Sequence, residues 1–118
     1  MTLIIGGAHS GKREYAMNSL GFSESDISGD INSEAPVLCG LHLLLRNTED
    51  YEALMPLLKN KKAVICDEVG CGMVPVDEAD RRWRERVGRA CCELAAHAGR
   101  VVRLNCGIAS VIKEEPGL

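Results

Sequence analysis

Aromatic residues are nearly missing from this chain: one Trp, one Phe and two Tyr make up 3% of its 118 residues. The core must therefore be built from Leu, Val, Ile, Ala and Cys. No apolar run approaches the roughly 20 residues of a membrane-spanning helix, which argues against a membrane partner. Neither sign of charge dominates: 14 Lys and Arg against 17 Asp and Glu leave a formal charge of -3. That balance supplies no general electrostatic drive toward nucleic acid or an anionic bilayer. The six cysteines (Cys39, Cys66, Cys71, Cys91, Cys92, Cys106) contain no CxxC pair and read mainly as small buried hydrophobes. A site built from Cys66, Cys71 and Cys106 is the alternative, if their strand ends are neighbours. Internal repeats, low-complexity tracts and interdomain linkers are also missing, so residues 1–118 are read as one domain. The first residues enter a strand pattern without signal-peptide architecture, and the expected location is the cytoplasm.

What is present begins at the N-terminus. The apolar stretch Leu3-Ile4-Ile5 runs directly into Gly6-Gly7-Ala8-His9-Ser10-Gly11-Lys12. This pattern predicts a phosphate-binding loop between a buried strand and a helix. Backbone N–H groups in such a loop point inward at phosphate oxygens, and the lysine reaches the terminal phosphates. The following helix would add its first N–H groups to the same site. Phosphate loops of this kind end in Ser or Thr, whose hydroxyl ligates magnesium; here that position is Arg13.

Further along, Gly11 to Leu20 reads as a helix with Tyr15, Ala16, Met17 and Leu20 on its apolar side. Ser23–Glu34 is loop-like, with room for one short strand. Val37–Arg46 reads as a buried helix, because Leu38, Leu41, Leu44 and Leu45 recur at helical spacing. Thr48 is the expected N-cap of a second helical segment, which Pro56 should kink or end. Ala63-Val64-Ile65-Cys66 is a second buried strand that terminates in Asp67-Glu68, followed by a glycine-punctuated loop, Val69–Pro75. Asp77 should cap a long helix running to about Ala98, with the apolar stripe Ala79, Trp83, Val87, Ala90, Cys91, Leu94 and Ala98. Two strands follow, Val101–Asn105 and Ala109–Ile112. Alternating strands and helices predict an α/β layer with a mainly parallel sheet.

Carboxylates at the end of a buried strand are the second chemical element. In phosphate-loop enzymes an acid there holds magnesium or orients the nucleophile, and Asp67 and Glu68 are equal candidates. The arginines around the long helix (Arg81, Arg82, Arg84, Arg86, Arg89) alternate with acids and read as a salt-bridged face. His9 lies within the loop, within reach of phosphate. His42 falls in an apolar segment, where a core or interface histidine is the usual outcome. His97 lies near a helix C-terminus, where partial positive charge is favourable.

These residues resemble one family. Gly6-Gly7-Ala8-His9-Ser10-Gly11-Lys12 is similar to the GGARSGK loop of the adenosylcobinamide kinase/adenosylcobinamide-phosphate guanylyltransferases of cobalamin biosynthesis. The more specific match is Asp67-Glu68-Val69-Gly70-Cys71-Gly72-Met73-Val74-Pro75, which resembles their NEVGxGIVP segment. Cys106-Gly107-Ile108 through Ile112-Lys113 resembles their closing SGIGxxIK turn. The resemblance implies a three-layer, RecA-like P-loop fold, shortened between the first helix and Ala63. It implies ATP or GTP with Mg2+ as cofactors and adenosylcobinamide as the corrinoid substrate. A homo-oligomer, often a trimer, is the assembly it implies. Lys12, Asp67 and Glu68 take the catalytic roles, with the two acids at the metal and Gly6 through Arg13 on the nucleotide. The family's guanylylated histidine has no matching context here, since His42 is the only histidine of the shortened region. The expectation is a kinase that has lost guanylyl transfer; the alternative is a non-catalytic nucleotide- or corrinoid-binding partner.

Overall fold

The computed structural model describes residues 1–69 and 77–116. A six-stranded sheet runs in the order β2-β3-β4-β1-β5-β6. Its strands are β1 (Thr2–Gly6), β2 (Ile27–Ser28), β3 (Val37–Cys39), β4 (Ala63–Asp67), β5 (Arg100–Asn105) and β6 (Ile108–Glu114). All pairings are parallel except that of β5 with β6. The strands nearest the middle read as continuous apolar runs because both sheet faces are covered. Alternation along each strand divides the core in two. Leu3, Leu38, Val64, Cys66 and Val101 face helices α2 (Leu41–Leu44), α3 (Met55–Lys59) and α4 (Glu78–His97). Ile4, Val37, Ile65, Val102 and Leu104 face the opposite way, where Ala16 of α1 (Lys12–Asn18) packs on them. The result is the expected α/β architecture, with helices on both faces of a mainly parallel sheet.

The shortened middle folds differently from the helical pattern in its leucines. Residues 37–46 do not form one helix: Val37–Cys39 is a strand paired with β4, and Gly40 breaks the segment before α2. Gly40 has φ 87°, a left-handed conformation that favours glycine, and its N–H donates to the Ile65 carbonyl, so the ladder bond wins over helix continuation. Thr48 does not cap the next helical segment; its hydroxyl donates back to the Leu44 carbonyl and closes the preceding turn. Pro56 lies in the first turn of α3 rather than at its end, the one helical location where a missing N–H costs nothing. Lys61 bonds the Ser33 and Ala35 carbonyls and pins the loop before β3.

The long helix follows its sequence signals. Asp77 accepts from the Ala79 N–H at 2.8 Å, and Val87, Ala90 and Leu94 are buried. Its polar groups brace α2 and the 3-10 turn Leu45–Asn47. Trp83 Nε1 donates to the His42 carbonyl at 2.7 Å, while Arg86 donates to the Leu45 carbonyl. Arg46 lies over the Trp83 ring, 4.1 Å from its centroid, and pairs with Asp80. Ala79, assigned to the apolar stripe from the sequence, is exposed.

The glycine loop after β1 is packed against β5 and the turn that follows it. A Cβ on Gly6 would lie 2.6 Å from both the Leu104 carbonyl oxygen and Ser10 Oγ, whereas one on Gly7 would meet nothing within 4 Å. Gly107 donates its N–H to the Ser10 carbonyl at 2.8 Å. Gly6→Ala is therefore expected to cost about 1–3 kcal/mol, the range for forcing an extra carbon into a filled site. Gly7→Ala should leave stability within about 0.5 kcal/mol of the parent. Urea midpoints measured side by side check this, and equal midpoints would contradict the packing.

Candidate functional site

Parallel pairing brings the candidate residues together. In the β1–β4 register Gly6 lies opposite Asp67, so the loop leaving β1 and the acid ending β4 sit at the same level. Ligands of open α/β sheets bind at the carboxyl ends of strands, where helices depart to opposite faces. Here α1 follows β1 onto one face, and α4, next in the described chain after β4, covers the other.

Lys12 is buried beneath the loop with 6% exposure. Its ammonium has three donors, and three oxygens meet it. They are the Gly7 carbonyl at 2.5 Å, Ser10 Oγ at 3.3 Å and Asp67 Oδ1 at 2.8 Å. The loop that holds it turns on two left-handed residues, His9 at φ 58° and Gly11 at φ 96°. Gly7, Ala8 and His9 are exposed, whereas Ser10 is buried. Arg13 turns away toward Glu24, 3.6 Å distant.

Asp67 and Glu68 have different partners. Asp67 meets Lys12, while Glu68 Oε2 pairs with Arg103 Nη2 at 2.9 Å. The Glu68 N–H also donates to the Gly6 carbonyl, extending the strand pairing past Asp67. The geometry thus separates two acids that are equal in the sequence. Cys66 is buried on the same sheet face as Val64 and its thiol donates to the Asp67 carbonyl at 3.3 Å; the neighbouring Cys91 thiol and burial push its pKa up. Cys106 is exposed in the β5–β6 turn, and Cys71, with the rest of Gly70–Pro75, lies outside the described residues. Among the described residues no cluster of three His, Cys, Asp or Glu side chains forms a metal cage.

Two participants are not identified as site residues by the sequence alone. His42 reaches the site from α2: its Nδ1 accepts the Asp67 N–H at 3.1 Å, and its Nε2 lies 3.4 Å from Asp67 Oδ2. The available signal is Gly40, a strand-ending glycine like Gly6, which places the residues just after it at the same sheet edge. Arg103 is hidden inside an otherwise apolar strand pattern. His9 is exposed in the loop and His97 is exposed in the last turn of α4.

A cavity of about 340 Å³ opens between the loop and the β3–α2 turn, lined among others by Lys12, Arg13, Gly40, His42, Leu43 and Asp67. A larger one, about 440 Å³, lies between residues 31–36 and the end of α3 and contains none of these groups. Of the two, only the smaller combines a cation, a carboxylate and an imidazole. Oxygen donors suit magnesium, which commonly takes one or two carboxylates and completes its shell with phosphate oxygens and water. Asp67 and Ser10 supply oxygens of that kind, so the residues fit the ion.

Burial lowers the His42 pKa from the ordinary 6.5; the Asp67 charge works against this and the Lys12 charge adds to it. His42 is therefore expected to remain neutral, with its proton on Nε2, below the pH at which a free imidazole protonates. Because the folded value is depressed, this group's stabilising contribution is present above pH 6.5 and is lost as pH falls toward the folded value. Nitrogen-15 chemical shifts of the ring check the tautomer, and a protonated Nδ1 at neutral pH would contradict it.

Among the described residues no helix is long and apolar enough to cross a membrane. A search of curated proteins returns no match. A family model described as cobinamide kinase / cobinamide phosphate guanyltransferase matches residues 41–112. The matched stretch includes His42, Asp67, Glu68 and Arg103 and starts after the glycine loop of residues 6–12, whose geometry is thus a separate observation. Covering more than half of the 118 residues, this match identifies the chain as belonging to the cobinamide kinase / cobinamide phosphate guanyltransferase family.

Proposed function

We propose that this chain is a kinase of its family, transferring the terminal phosphoryl group of ATP or GTP to the hydroxyl of adenosylcobinamide. The observation that carries this reading is the Lys12–Asp67 pair, 2.8 Å apart at the joined ends of β1 and β4. Phosphoryl transfer needs little covalent chemistry from the protein; it needs positioned phosphates and compensation of their charge. Gly6 to Arg13 would receive the phosphates, with backbone N–H groups directed at the oxygens. Lys12 would exchange its loop oxygens for the transferred group. Asp67 would hold magnesium, which when bound neutralises charge on the phosphate oxygens. Glu68, tied to Arg103, would shape the neighbouring strand end. The cavity beside Lys12 and His42 would admit the acceptor hydroxyl.

Guanylyl transfer through His42 finds less support. A covalent histidine intermediate needs a ring nitrogen with a free lone pair. The Nδ1 lone pair already accepts the Asp67 N–H, and the proton this leaves on Nε2 occupies the other nitrogen.

Transfer of labelled γ-phosphate to adenosylcobinamide is the test. Lys12→Ala should reduce the rate by at least about 100-fold, the scale for losing one preorganised charge-stabilising donor. Absence of transfer from either nucleotide would defeat the kinase reading. Arg13 favours a second reading, a nucleotide- or corrinoid-binding protein without turnover, because it fills the position of the magnesium-ligating hydroxyl and turns to Glu24. That reading predicts thermal stabilisation by nucleotide without product, and recovery of turnover in Arg13→Ser.

A further inference from the structure

Helix α4 contains a single glycine, Gly88, in its interior. Glycine gives up more backbone freedom on folding than any other residue, so a helix interior keeps it at a cost. Two demands ordinarily justify that cost: a positive φ, or a neighbour too close for a Cβ. Neither applies here. Gly88 is not one of the positive-φ glycines, and a Cβ built on it would meet nothing within 4 Å. At Gly6 the same carbon would strike Leu104 and Ser10. Among the described residues, none uses the space over Gly88.

That space belongs to a cavity of about 270 Å³ on the α4 side of the strand ends. Arg84, Val87 and Gly88 form its helix wall, three and four positions apart and so on one side of α4. Ile5 of β1 lines it from the sheet, and Asp67 and Glu68 line it at the end of β4. Asp67 also lines the cavity beside Lys12, so the two spaces share a wall. Sites that enclose a whole small ligand run to about 300–1,000 Å³, so this one suits an arm of a ligand seated elsewhere. Its charges narrow the choice of arm. Two carboxylates disfavour an anion, and the Arg84 guanidinium disfavours a cation. A carboxamide is neutral; its carbonyl accepts from a guanidinium and its NH2 donates to a carboxylate. Glu68 and Arg84 have partners within the chain, and both group types carry more hydrogen-bonding positions than one partner uses. The methylene stem of such an arm would lie on Ile5, Val87 and the bare backbone of Gly88.

Resting on the kinase reading above, we propose that this cavity is a second subsite for the acceptor. It takes a carboxamide side arm from the rim of the corrinoid, while the acceptor hydroxyl enters the cavity beside Lys12. Gly88 is the specificity-determining residue, because a side chain there would fill the space of the arm. Asp67, in the wall of both cavities, fixes where arm and hydroxyl meet.

The experiment is calorimetric titration of the whole chain with adenosylcobinamide in the presence of a non-hydrolysable triphosphate, alongside thermal melting. Gly88→Ala should raise Tm by a few degrees, because alanine suits a helix interior better. The same variant should weaken acceptor binding about tenfold, the low end for one extra carbon in a fitted pocket, and Gly88→Leu should weaken it further. Triphosphate affinity without acceptor should stay within about twofold in both, since the glycine loop is a separate site. Hydrolysing the corrinoid's side-chain amides to carboxylates should weaken its binding to the parent about tenfold, and equal affinity overturns the amide assignment. Acceptor affinity unchanged in Gly88→Leu overturns the subsite; if that variant fails to fold, unchanged affinity in Gly88→Ala does so. A lowered Tm in Gly88→Ala marks a packing role, and an altered sedimenting mass marks contact with a second copy; either overturns the proposal. A parent chain that binds triphosphate but no corrinoid defeats the kinase reading itself, a result seen before any substitution is made.

Discussion

The register of β1 against its two neighbours is the constraint on which the site depends. Gly6 lies opposite Asp67 on one side and Leu104 on the other. A one-residue slip of β4 would turn Asp67 toward α4 and bring Cys66 to the loop side, since successive side chains point to opposite faces. Lys12 would then be a buried ammonium without its acid, a defect of about 3–5 kcal/mol. The apolar alternation of Val64 and Cys66 against Ala63 and Ile65 specifies the same register as the Lys12–Asp67 pair. Core packing and site chemistry agree, as expected of a sequence with little internal conflict.

The three charged or polar groups at the strand ends form a self-contained arrangement. Lys12 satisfies all three of its donors within the protein, Asp67 is divided between Lys12 and His42, and His42 is anchored through its own backbone to α4. The long helix, whose arginines look like a solvated face in the sequence, thereby supports the site from behind through Trp83 and Arg86. Family membership rests on residues 41–112, and the loop geometry on residues outside that match. These are separate observations that converge on the same strand ends.

Legibility from sequence follows the locality of the signal. Strands β1 and β4, helix α4 and the β5–β6 hairpin are readable because each is bounded by its own glycines, acids or caps. Residues 37–46 are not, because leucine spacing carries the same information for a buried helix and for a strand followed by a turn. Only pairing with β4 decides it, and pairing is a tertiary fact. Thr48 and Pro56 mislead in the same way: each has a helix-end chemistry that serves either of two neighbouring helices. Lys12 and the two acids are legible as site candidates, while the separation of Asp67 from Glu68 requires knowing which side of β4 faces the loop. His42 is discounted in the sequence because nothing near it signals that its imidazole meets this acid. Its partner is 25 positions away.

The hairpin turn of Cys106 and Gly107 lies at the opposite end of the chain from the loop it supports. Both residues adopt positive φ, 50° and 79°, the geometry of a tight two-residue turn between antiparallel strands. Through Gly107 that turn bonds Ser10, and through Leu104 its strand packs on Gly6. The loop after β1 therefore gains its supports only when both β4 and β5 fill the flanks of that strand. Contacts of such long sequence separation form late and slowly. Removal of the β5–β6 hairpin would take away the contacts at Gly6 and Ser10, leaving residues 6–12 in sequence but without these supports.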